Sequence, residues 1–329
     1  MHQEAFIDHL LKISNLHDDT VNSVTTPYRK GFPIDAIPKL PESPNQKKLT
    51  KYMQTLVGSL NWLAISTRPD IATVTNLLAK YMSNPNTHHI EAAKRVIKYL
   101  KGTRERGITF TSHNTSTLNT FVKFPTKSTI TSMCDANWGP QDASKPKQND
   151  KTVLDLFKTR SLSGFLLWLQ GPLHWTSKRQ TITARSTAEA EIYATDECCK
   201  ALLHLHQLVS GLELSNELMP KPNVIHNDNA ACVAWSKNMT TKGLRHIQIR
   251  ENAVRESVQN GFIDVIHVAG DLNLSDLFTK EDKDDKHFLK IRDILVPARS
   301  LTFCSSHPRG VSSWENGTDQ NLRTSTTKS

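Results

Sequence analysis

The chain has 329 residues, 37% of them hydrophobic, and a formal net charge of +9. That is enough apolar content for two ordinary domains with real cores, and a basic excess suits a polyanionic partner without specifying a fold. The five cysteines (Cys134, Cys198, Cys199, Cys232 and Cys304) are odd in number and lack zinc-ligand spacing, which argues for reduced thiols rather than a disulfide framework or a zinc site.

The N-terminal MHQEAFIDHLLKI carries acidic residues within its apolar pattern, so it is not a signal peptide. It reads as a short amphipathic helix over residues 3–15 that belongs to something upstream. No apolar run reaches eighteen residues, and no membrane span is expected. From about 16 to 46 the chain is polar and carries Pro27, Pro33, Pro38, Pro41 and Pro44, a linker or extended wrap.

Three helices follow. LTKYMQTLVGSLNWLAI is the first. RPDIATVTNLLAKYMSN is the second, with Pro69 near its first turn and Ser83-Asn84-Pro85 ending it. THHIEAAKRVIKYLKGT is the third, with Thr87 as its cap and Gly102 as its stop. There Ala93, Val96, Ile97 and Leu100 share one face, and Lys94, Lys98 and Lys101 share another. Residues 45–106 hold eleven Lys and Arg against three acids (Asp70, Glu91, Glu105), a surplus that suits a phosphate-facing surface or a solvated helical face.

From 128 the period changes. STITSMCDANW, SLSGFLLWLQG and LHWTSKRQT read as three strands, with a polar insert at about 140–158 between the first two. A long helix opens at Ser186-Thr187 and closes at Gly211. NVIHND is a fourth strand, AACVAWSKN a short helix, 246–260 a further helix and FIDVIHVAG a fifth strand. A helical stretch with breaks runs from Ser275 to about 295. The Ser/Thr-rich tail is expected to be disordered. The order β-β-β-α-β-α-α-β-α implies one mixed sheet with helices on its faces, an α/β fold.

Four acids stand out by position. Asp135 ends the first strand, Glu191 lies in the first turns of the long helix, Asp228 ends the fourth strand and Asp276 opens the final helical stretch. Each has a plain alternative, since acids at helix starts serve the macrodipole and Asp at strand ends makes turns. If the first and fourth strands are neighbours, however, Asp135 and Asp228 lie side by side. Two unit charges ~4 Å apart repel by roughly 4 kcal/mol at an effective dielectric near 20. Hard divalent cations with oxygen ligands remove that cost. Glu189, two residues from Glu191, competes for the helix role; on a helix it points about 200° away, and a metal site could use one of the two.

CDANWG, SLSGFLLWLQGPLHWTSKRQ, RSTAEAEIYA, HNDNAAC, RHIQIRENAVRE and NLSDLFTK, in that order, resemble the ribonuclease H domain of copia-type retrotransposon polyproteins. YMQTLVGSLNWLAISTRPDIATVTNLLAKYMSNP and HIEAAKRVIKYLKGT are similar to the segment joining that family's reverse transcriptase to its ribonuclease H. The resemblance covers about residues 3–295. It implies a ribonuclease H-like five-stranded mixed sheet at 128–298, preceded by the end of a reverse transcriptase (1–46) and a helical thumb or connection region (47–127), with a tail at 299–329.

The resemblance also implies the chemistry: hydrolysis of the RNA strand of an RNA–DNA hybrid. Two Mg²⁺ ions, with Mn²⁺ as an alternative, would be held by Asp135, Glu191, Asp228 and Asp276. Asn137 stands where the family often has a second acid. His246 and Arg250 match the family's basic helix and would contact the hybrid or support the fold, with a general-base role for His246 less favoured. HVAGDLN has no obvious flexible histidine of the kind cellular ribonucleases H carry. Lys94, Lys98 and Lys101 would hold the duplex by charge. There is no Tyr-x-Asp-Asp of a polymerase palm, so the chain is expected to be a C-terminal piece that does not synthesise DNA. Its partners would be the hybrid and, in a full polyprotein, the missing palm and fingers, in an intracellular setting. The alternative is an inert remnant that only binds nucleic acid.

Overall fold

The computed structural model describes residues 1–28, 45–110, 130–138, 160–238, 252–280 and 284–299. The proline-rich stretch from 29, the polar insert, His246, Arg250 and the tail from 300 lie outside the described residues.

Four helices precede the sheet: α1 (Glu4–Ile13), α2 (Gln46–Ser66), α3 (Ala72–Ala79) and α4 (Thr87–Gly102). The second predicted helix is shorter than its apolar pattern. A single 3-10 turn, Pro69–Ile71, leads into α3, and the chain leaves the helix before Ser83. The cap of α4 is Asn86 rather than Thr87. Its side chain accepts from the His89 amide at 3.1 Å, and the His89 ring accepts from the Asn86 amide at 3.0 Å, so two orphan donors are satisfied together. The helix runs through Gly102 instead of stopping before it.

The sheet is built from β1 (Thr131–Asn137), β2 (Leu162–Trp168), β3 (Pro172–Arg179), β4 (Asn223–Asn227) and β5 (Ile263–His267). Their order across the sheet is β3-β2-β1-β4-β5, with β1–β2 and β2–β3 antiparallel and β1–β4 and β4–β5 parallel. The later helices are α5 (Thr187–Gly211), α6 (Ser215–Leu218), α7 (Ala230–Lys237), α8 (Asn252–Gln259) and α9 (Asp285–Leu295).

The strand period of two sorts side chains between two cores. Met133, Leu166 and Trp168 face one core, shared with α1 to α4 and α9. Cys134, Ala136, Phe165 and Leu167 face the other, shared with α5, α7 and α8. Every residue of β2 is therefore buried, as expected of a strand covered on both faces. Met1–Ala298 form one packed unit, in which the N-terminal helices and one sheet face share a single apolar cluster. No helix among the described residues is long and apolar enough to cross a membrane.

Candidate metal centre

Register brings the strand acids together. β1 and β4 pair in parallel as far as Cys134↔Asn227, so Asp135 and Asp228 are the next residues along two neighbouring strands. The helix that opens at Ser186 crosses the same end of the sheet and brings Glu191. Ligand atoms of Asp135, Glu191 and Asp228 all lie within 4.8 Å of one another. Asn227 donates to Glu191 Oε2 at 3.0 Å and fixes that carboxylate from β4.

Asp276 arrives from the opposite face, on a 3-10 turn, Leu274–Phe278. Two devices seat this turn on β1. Asn273 donates to the Cys134 carbonyl at 3.0 Å and accepts from the Ser275 amide at 3.2 Å, capping the turn and tying it to the strand. Gly164 lies across from Asp135, and a Cβ there would stand 2.5 Å from Phe278 Cβ. Only glycine lets the turn lie this close to the sheet. The chain then folds back so that the Thr279 hydroxyl donates to Asp135 and Lys280 reaches the acids.

The Lys280 ammonium touches Asp135 Oδ1 at 3.1 Å and Asp228 Oδ2 at 3.7 Å, and makes a still closer contact with Asp276 Oδ1. His287 Nε2 lies 3.1 Å from Asp276 Oδ2. Burial, and then the neighbouring Asp276 and Asp228, push the Asp135 carboxyl up to about 6 against the pull of Lys280. Burial and then Asp135 hold Glu191 well above the usual carboxylate range. Charge is thus crowded where water cannot screen it. One ammonium offsets one of four carboxylates, so this hard-oxygen donor set fits a divalent ion such as Mg²⁺ or Mn²⁺.

Glu189 has a different task. Its Oε2 accepts from the Arg185 amide at 2.6 Å, while its own amide donates to Ser186 Oγ at 3.1 Å, so it serves the start of the helix. Asn137 donates to the Thr279 carbonyl at 3.3 Å.

The basic surplus at 45–106 is used partly inside the protein. Arg68 is fully buried in an ion pair with Asp70 at 2.7 Å. Arg106 pairs with Asp293 at 2.7 Å. Lys101, expected in a lysine stripe, donates its ammonium to the carbonyls of Asp18 at 2.5 Å and Val21 at 3.1 Å and ties down the chain after α1. Lys94 lies 6.0 Å from the Tyr52 ring centroid, and Lys98 is half-buried beside it on α4.

The sequence reading passed over Asn227, Asn273, Lys280 and His287. Lys280 had a signal, since it follows Asp276 by four residues, a spacing that pairs opposite charges on one helical turn. His287 had none, because it reaches Asp276 only through the packing of α9.

An α/β fold with three antiparallel strands, two parallel ones in the order 3-2-1-4-5, and acids gathered at the end of the first and fourth strands is ribonuclease H-like. By sequence, the chain is a relative of the copia-type retrotransposon Pol polyproteins, as its motifs lead one to expect. The retrovirus-related Pol polyprotein from transposon RE1 of Arabidopsis thaliana is 30% identical over 84% of this chain and 17% of its own length. That from transposon RE2 of the same plant is 31% identical over 68% of this chain and 14% of its own length. That from transposon TNT 1-94 of Nicotiana tabacum is 26% identical over 84% of this chain and 19% of its own length. The chain therefore spans less than a fifth of these relatives. No protein-family model matches it. Among solved structures, LC11-RNase H1 isolated from compost is 14% identical with a TM-score of 0.33, covering 48% of this chain and 98% of its own. The fold assignment rests on the strand order, not on that superposition.

Proposed function

We propose that the chain hydrolyses the RNA strand of RNA–DNA hybrids, acting within the polyprotein of a copia-type element. The observation that carries this reading is the convergence of Asp135, Glu191 and Asp228, with Asp276 beside them, at one end of the sheet. In this reading the four acids hold two Mg²⁺ ions. Bound divalent ions supply activation of an attacking water and stabilisation of the departing oxygen in phosphodiester cleavage. The protein's own residues set the positions. β1 and β4 present Asp135 and Asp228 on rigid strands, Asn227 orients Glu191, and Thr279 orients Asp135. Lys94 and Lys98 are proposed to face the duplex backbone, with RNA told from DNA through its 2′-hydroxyls. The domain division at residues 46, 127 and 298 and the polymerase palm as a partner belong to the same reading.

The test is cleavage of a labelled RNA–DNA hybrid by the purified chain in Mg²⁺, beside an Asp228→Asn control. Cleavage by the wild type that disappears in the control is the expected result. Salt-sensitive binding of the hybrid by a wild type that does not cleave it would favour the inert remnant instead.

The two glutamates give a sharper check. Glu191→Gln should lose cleavage while remaining folded. Glu189→Gln should keep cleavage and lose about 1 kcal/mol of stability through the weakened helix start. The reverse pattern in the cleavage assay would show that the helix presents the other carboxylate to the site.

A further inference from the structure

The four acids are not equivalent. Among the described residues, the group whose ligand atoms could close on one metal ion is Asp135, Glu191 and Asp228, and it leaves Asp276 out. The Asp276 carboxylate is engaged by two cationic or cation-forming side chains instead, Lys280 on Oδ1 and His287 on Oδ2. The Lys280 ammonium also reaches Asp135 and Asp228, at 3.1 and 3.7 Å. Glu191, the remaining acid, is held by Asn227.

We propose that Lys280 is a built-in counter-cation for the Asp276 side of the cluster. A first divalent ion then binds at Asp135, Glu191 and Asp228, and a second enters only as the lysine withdraws. This rests on the reading of the cluster as a metal centre and adds an order of loading to it.

Three observations support the inference. First, the ammonium is in contact with both Asp135 and Asp276, so it occupies the Asp276 side of the cluster. Two cations cannot share that space without strong repulsion. Second, the chain delivers this lysine locally. The Lys280 amide bonds to the Asp276 carbonyl at 2.9 Å, so one turn of backbone places the ammonium over Asp276. Third, the two partners differ in freedom. The Asp276 side chain is 1% exposed, while that of Lys280 is 24% exposed. A four-carbon stem with a strongly hydrated head can swing towards solvent while the carboxylate stays in place. A divalent ion brings twice the charge to the same oxygens, so it can displace the ammonium, and its affinity is reduced by the contacts it has to break.

The experiment is a titration of the full chain with Mn²⁺, following bound ion by electron paramagnetic resonance, for the wild type and Lys280→Met. The wild type should bind one ion tightly and a second weakly. In Lys280→Met the second ion should bind about tenfold tighter or more, a gain of one decade in affinity, with a smaller gain for the first, whose Asp135 and Asp228 the ammonium also touches. A measurement on the wild type alone guards against a variant that fails to fold: acylation of Lys280 by an amine-reactive reagent, read by mass spectrometry. Lys280 should be protected at one equivalent of Mn²⁺ and become several-fold more reactive as the second ion binds. Two ions bound with the same affinities in both proteins, or Lys280 reactivity that does not change with Mn²⁺, would overturn the inference and leave the metal centre standing. A wild type that binds no Mn²⁺ beyond what Asp228→Asn binds would overturn both.

Discussion

Asp135→Asn is expected to abolish cleavage of the hybrid while making the metal-free protein harder to melt. Asp135 is 1% exposed, lies on the central strand of the sheet and belongs to the group that could hold an ion. Loss of a ligand that the ions would share should cost at least about a hundredfold in activity. Stability should move the other way. Burial, with Asp276 and Asp228 adding and Lys280 opposing, lifts the carboxyl to about 6, above its ordinary 3.8. Below pH ~4 the acid is protonated in both folded and unfolded chains and contributes nothing. Between ~4 and ~6 the folded state holds its proton longer, so stability falls as pH rises. Above ~6 the folded protein carries the whole penalty, of the order of 3 kcal/mol.

Asparagine keeps the shape without the charge. In EDTA at pH 7.5 the melting temperature of Asp135→Asn should exceed that of the wild type by roughly 6–12 °C. Mg²⁺ should raise the wild-type value at that pH, by more than it does at pH 5, and leave the variant unmoved. Calorimetry in EDTA and in Mg²⁺ at the two pH values measures all of this. A metal-free variant that melts below the wild type at pH 7.5 would show that the contact with Lys280 outweighs the cost of burying the carboxylate.

The second large effect concerns stability alone. The Arg68 guanidinium is fully buried and donates from Nε to Asp70 Oδ1 at 2.9 Å and from Nη2 to Asp70 Oδ2 at 2.7 Å. It also donates to the carbonyl and hydroxyl of Thr103 at 2.9 and 2.7 Å. The Tyr99 hydroxyl completes the set by donating to Asp70 Oδ2 at 2.6 Å, and burial first, then Asp70, holds that phenol well above its ordinary range. The network joins the turn before α3 to the end of α4.

Asp70→Asn leaves a buried guanidinium without its counter-charge, and should cost about 3–5 kcal/mol, because desolvating a charge is repaid only by a partner. That corresponds to roughly 10 °C in melting temperature. Replacing both partners, Arg68→Met with Asp70→Leu, should recover most of the loss, since no charge then remains to be solvated. Urea melts of the wild type, the single variant and the double variant decide it. A double variant as unstable as the single would mean that packing around the network matters more than its charge.

The two cases mark where local and tertiary information part. The strands β1 and β2, the helix start at Ser186 and the order of strands and helices were legible because each depends on neighbours within a few residues. The different placing of Glu189 and Glu191 around the helix was legible in outline, from helical geometry. The structure adds the reason: the Arg185 amide takes Glu189, and Asn227, 36 residues from Glu191, holds the other. Arg68 was counted with the surface charge because a sequence gives its type but not its burial.

The sequence by itself determined the α/β class, the order along the chain of the four candidate acids and the similarity to Pol polyproteins, all carried by short-range pattern and motif. Tertiary structure alone decided that the helices at the N-terminus share a core with one sheet face, that Gly164 admits the turn bearing Asp276, and that Lys280 and His287 close on the acids. Those facts depend on which distant segments meet when the strands pair and the two cores close, and no local pattern encodes the distance between groups brought together that way.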